Sequence, residues 1–121
     1  MRTMTKAEER QARRLLLAAT LAKRGQANAW DAARDAARLR VLAKRLDTYN
    51  TNLCNREVSE RERKISFGAV NTASDIAEKY GATAYFGGDP MGAAIRIYWP
   101  DMIPGKDPGN YTSAMLPVEI D

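Results

Sequence analysis

The sequence predicts an α+β domain of 121 residues in which three amphipathic helices precede a small antiparallel sheet. Three observations carry this reading. Two capping-box patterns, Thr5-x-x-Glu8 and Ser59-x-x-Glu62, each precede a stretch of helical apolar spacing. Beyond Gly81 the apolar period changes from about 3.6 to two. Glycine and proline gather at 87–92 and 100–112, where turns are expected.

The first helix is expected over about 5–24. Its apolar residues include Ala12, Leu15, Leu16, Ala19 and Ala22, and Gly25 can adopt the left-handed conformation that closes a helix. The second helix, about 29–54, has the stripe Ala32, Ala36, Leu39, Leu42, Leu46, Tyr49 and Leu53, with steps of three and four along one face. Asn55 is the expected stop, because Asn tolerates the left-handed region. The third helix, about 59–80, carries Ile65, Ala69, Thr72, Ile76 and Tyr80, and Gly81 ends it. Trp30, near the start of the second helix, reads as a core or staple residue, or as an interface anchor if exposed.

Three strands follow, over 82–86, 93–99 and 114–120, with a hairpin loop at 87–92. Pro117 cannot donate to a ladder, which places the last strand at an edge. The outward sheet face would carry Tyr85, Arg96 and Tyr98, the ingredients of a stacking platform for single-stranded nucleic acid or of a protein interface. The length suits one domain over 1–121, helical and basic to residue 80 and sheet-forming and acidic beyond it.

Composition narrows the chemistry. There is no histidine and one cysteine, Cys54, so an intrachain disulfide and histidine-based acid–base catalysis are excluded. Zinc sites draw mainly on these two residue types, so no metal site is expected. The loop carboxylates Asp101 and Asp107 lack a supporting constellation. The expectation is a protein that is not an enzyme and uses no cofactor. The run 15–22 has too many flanking charges to read as a secretory signal, and no stretch approaches the roughly 18 apolar residues of a spanning helix, so a cytoplasmic location is expected.

Charge is divided unevenly. Residues 1–64 hold 16 Lys/Arg against 8 Asp/Glu, and residues 65–121 hold 3 against 7. Such asymmetry points to a charged partner or to association between unlike halves. The largest local excess lies in Arg10, Arg13, Arg14, Lys23, Arg24, Arg34 and Arg38, the expected contact surface for a partner or nucleic acid. Arg45, Arg61, Arg63 and Lys64 extend it, although Glu60-Arg61-Glu62-Arg63 alternates sign as an ordinary solvated face does. The stripe of the second helix and the last strand are candidate surfaces for a homodimer.

Residues 53–100 resemble a group of small bacteriophage proteins. The resemblance rests on Leu53-Cys54-Asn55, on a charged helix ending in Ile76-Ala77-Glu78-Lys79-Tyr80-Gly81, and on Tyr85-Phe86-Gly87-Gly88-Asp89-Pro90-Met91-Gly92. Met91 stands where the group often has Arg. The resemblance implies a phage accessory protein, a class that often binds host machinery. The expectation is a non-enzymatic inhibitor of a host nucleoprotein defence complex, similar in role to anti-CRISPR proteins. The alternative is a nucleic-acid-binding module using the basic helical face.

Overall fold

The computed structural model describes residues 3–87, 92–103 and 114–120. It has the predicted α+β order: α1 (Lys6–Arg24), α2 (Ala29–Asn55), α3 (Glu60–Lys79), β1 (Thr83–Phe86), β2 (Ile95–Tyr98) and β3 (Leu116–Pro117). The strands form one antiparallel sheet in the order β1-β2-β3, so Pro117 does lie on an edge strand. The last strand is shorter than expected, with only two residues in the ladder. A single turn of 3-10 helix, Pro100–Met102, follows β2 where the sequence suggests loop. Most of the predicted hairpin loop, including Asp89, and most of the loop holding Asp107 lie outside the described residues.

Local chemistry explains the helix ends. Both capping boxes form: Thr5 and Ser59 accept from the backbone N–H of Glu8 and Glu62, whose carboxylates reach back to the cap residues. Each arrangement satisfies donors that the first turn leaves without helical partners. At the end of α3, Gly81 takes φ +76°, and the Ala82 N–H reaches the Ala77 carbonyl at 2.9 Å. This is a Schellman closure.

Two expected stops work differently. After α1 the left-handed residue is Gln26 (φ 51°), while Gly25 remains right-handed at φ −84°. Gly25 is needed for space instead. A Cβ there would lie 2.5 Å from Tyr80 Cδ1 and 2.8 Å from the Leu21 carbonyl oxygen. At the end of α2, Asn55 stays helical and its side-chain amide donates to the Thr51 carbonyl. The break falls at Arg56, which is extended.

Helix α2 is central, packing against α1 on one side and α3 on the other, and α3 packs against β1. The core joins Leu39, Leu42 and Leu46 of α2, Ala69, Ala73 and Ile76 of α3, and Ile95, Ile97 and Trp99 at the sheet. Alanines four residues apart on α3 (Ala69, Ala73, Ala77) let the helices approach closely. The predicted stripe of α2 is therefore used inside the chain as far as Leu46, which removes it as a dimer surface.

Helix α1 reverses the expectation. Leu17 and Leu21 are buried, whereas Leu15 and Leu16 are 60% and 53% exposed, with Ala12 and Ala19 exposed beside them. Of the apolar residues expected to pack, only Ala22 touches the core. Trp30 is also on the surface, 86% exposed, and not a staple.

Candidate binding surface

The ten sequence-predicted contact residues have different environments. Arg13 Nε meets a Glu119 carboxylate oxygen at 2.7 Å. One guanidinium nitrogen of Arg24 lies 2.9 Å from both oxygens of Asp101, and its cationic carbon sits 5.2 Å from the centre of the Trp99 ring. These pairs attach α1 to the segments flanking the sheet. Arg34 pairs with Asp31 one turn earlier at 3.3 Å, and Arg38 faces Asp35 at 3.6 Å. Arg14 is half-buried near Arg40. Arg10 and Lys23 are exposed on α1. Four of these cations, Arg13, Arg24, Arg34 and Arg38, thus face carboxylates of the chain itself.

The sheet residues do come together. Tyr85 stands directly opposite Arg96, and Thr83 opposite Tyr98, so their side chains share the outward face. Tyr85 is exposed; Arg96 and Tyr98 are half-buried. Arg96 also borders a cleft of about 360 Å³ that Asp47 and Glu119 line.

A groove of about 370 Å³ between α2 and α3 was not expected from the sequence. Its walls are largely apolar, built from Val41 and Tyr49 of α2 and Ile65 of α3. Val41 is 54% exposed and Ile65 51%. Lys44 and Arg45 edge it, and among the described residues neither has a carboxylate partner. Glu62 is the groove's one acidic lining residue, and it is already engaged. Arg56 grips both its oxygens at 3.1 and 2.7 Å, and the Ser59 N–H donates to it. These bonds lower its pKa to about 2. The positive charge at the groove edge is thus uncompensated from within. The sequence signal was present but weak: Val41 lies off the apolar stripe of α2, and Lys44-Arg45 follows it within a turn.

Asp35 was also missed by the sequence reading. It is the one charged residue buried among the described residues. Lys79 Nζ donates to its Oδ2 at 2.8 Å, the Tyr80 hydroxyl donates to the same oxygen, and Arg38 faces Oδ1. Burial pushes the carboxyl up, but the bonds from Lys79 and Tyr80 and the charges of Lys79 and Arg38 outweigh it, so its pKa lies below the usual carboxylate value. Burial and the Asp35 carboxylate raise the Tyr80 phenol. The Trp99 indole N–H donates to the Tyr80 carbonyl at 3.0 Å, completing a polar path from sheet to α3 to α2. Each polar group in this path has a partner, as buried groups require. Asp35 and Tyr80 are buried and bonded to one another, so the pair ties α2 to the end of α3, while Lys79 and Arg38 reach it from the surface.

Among the described residues no group of His, Cys, Asp or Glu could hold a metal ion. Cys54 is exposed. No described helix is long and apolar enough to cross a membrane. Compared with protein-family models, curated proteins and solved structures, the chain matches none.

Proposed function

We propose that this chain is a non-enzymatic binding protein that docks on a host nucleoprotein defence complex and inhibits it, in the manner of anti-CRISPR proteins. The contact surface in this reading is the α2–α3 groove. One observation carries the placement: an apolar trough whose cationic edge, Lys44 and Arg45, lacks a partner within the described chain. An exposed apolar floor gains by excluding water, and unpaired cations on its rim select an acidic surface. The phage resemblance of residues 53–100 supports the choice of host machinery, and the cytoplasm of the bacterial host is the compartment this role requires.

The test compares phage plating on a host that carries such a defence system. Expression of the wild-type chain should restore plating, and Val41→Asp combined with Arg45→Glu should abolish the rescue without lowering the melting temperature. Full rescue by that variant would remove the groove from the account.

The second reading is direct nucleic-acid binding. The juxtaposition of Arg40, Lys44 and Arg45 on α2 favours it, because closely set cations suit a phosphate backbone. It requires affinity for DNA or RNA that falls steeply with salt. Fluorescence anisotropy with labelled single- and double-stranded oligonucleotides decides it, and no signal change at low salt rejects it.

A further inference from the structure

Helix α1 has two apolar faces, and the folded chain uses only one. Leu17 and Leu21 point into the core. The opposite face carries Ala12, Leu15, Leu16 and Ala19, all exposed. We propose that this outward face is a two-fold interface, occupied by α1 of a second copy running antiparallel.

The occupant is argued from the pattern itself. About a point between Leu15 and Leu16 the face is self-complementary. An antiparallel copy sets Leu15 against Leu16 and Ala12 against Ala19. One turn further out it sets Glu8 against Lys23. At about 3.6 residues per turn these six positions fall on one side of the helix. Such a self-complementary patch is what a two-fold, isologous contact needs. The alanines permit close helix approach, the paired leucines fill the centre, and opposite charges meet at each end. A parallel copy would instead set Glu8 against Glu8 and Lys23 against Lys23.

Lys23 is exposed and has no carboxylate partner among the described residues, so a carboxylate from a second copy can meet it. Glu8 accepts from Thr5 in the capping box at the other end of the face. The helix has 19 residues and measures about 28 Å, so the contact belongs among the small, weak interfaces, below about 1,200 Å² in total. Such a dimer leaves the α2–α3 groove open and presents it twice. The interface stands whether or not the function proposed above is correct.

Sedimentation equilibrium of the full chain from about 1 to about 200 µM tests the association. The wild type should fit a monomer–dimer equilibrium. Leu16→Glu should raise the dissociation constant about 30-fold or more, because it places carboxylates against the partner's leucines. Leu16 is on the surface, so an unchanged circular dichroism spectrum will show the variant folded. Orientation is read by cross-linking in a Cys54→Ser background. An equimolar mixture of the Ala12→Cys and Ala19→Cys variants should form a disulfide between unlike chains, and neither variant alone should. A wild-type chain that stays monomeric, a Leu16→Glu variant that dimerises as well as the wild type, or efficient cross-linking of the Ala12→Cys variant with itself would each overturn the interface.

Discussion

Helices α1 and α2 carry similar numbers of basic residues, but their charges do different things. On α1, Arg13 and Arg24 reach carboxylates in the C-terminal half of the chain, Glu119 and Asp101. On α2, Lys44 and Arg45 line a groove with no such partner among the described residues. The sequence shows a basic half and an acidic half, and part of that asymmetry is consumed where the halves join. The proposed partner surface therefore rests on cations left over, Lys44 and Arg45, and not on the densest run of cations.

Asp35 is a buried charge that ties α2 to α3. Asp35→Ala removes the acceptor shared by Lys79 and Tyr80 and leaves the Tyr80 hydroxyl without a partner. It should cost about 3 kcal/mol, read as a drop in the urea midpoint. Gly25→Ala tests the close approach of the α1 end to α3. Its new methyl would collide with the Tyr80 ring and the Leu21 carbonyl, and about 2 kcal/mol should be lost in thermal denaturation. A neutral result there would show that the α1–α3 corner yields easily.

Acid should loosen the Asp35 cluster and the start of α3. The Asp35 and Glu62 carboxyls have lower pKa values folded than unfolded, so the stability they contribute is present above the unfolded value and is lost as pH falls. For Glu62 the window runs from 4.5 down to about 2. The urea midpoint should therefore decline through that range. Asp35→Asn should flatten part of the decline, while starting from a lower midpoint at neutral pH.

The order of elements was legible because its signals are local. Capping boxes, the change of period after Gly81 and the position of Pro117 act within a few residues. The inward face of α1 was not legible. Leu15-Leu16-Leu17 offers two candidate faces, and Ala12-Leu15-Leu16-Ala19 is the more apolar of them. Packing against α2 selects Leu17 and Leu21 instead, a tertiary choice that periodicity does not contain. Asp35 was hidden for a similar reason. Its partners Lys79 and Tyr80 are 44 and 45 residues away, and the local signal is only its place on the α2 stripe between Ala32 and Leu39. The grouping of Tyr85, Arg96 and Tyr98 was accessible, since strand alternation alone puts them on one face.

The contrast between α1 and α2 is tested most directly by neutralising each pair of cations and measuring stability at low and high salt. Arg13→Gln with Arg24→Gln should lose stability at low salt, and the loss should shrink as salt screens the pairs with Glu119 and Asp101. Lys44→Gln with Arg45→Gln should lose nothing at either salt concentration. Equal losses from the two double variants would mean that the α2 cations are also held by the chain, and that the groove edge is not free to meet a partner.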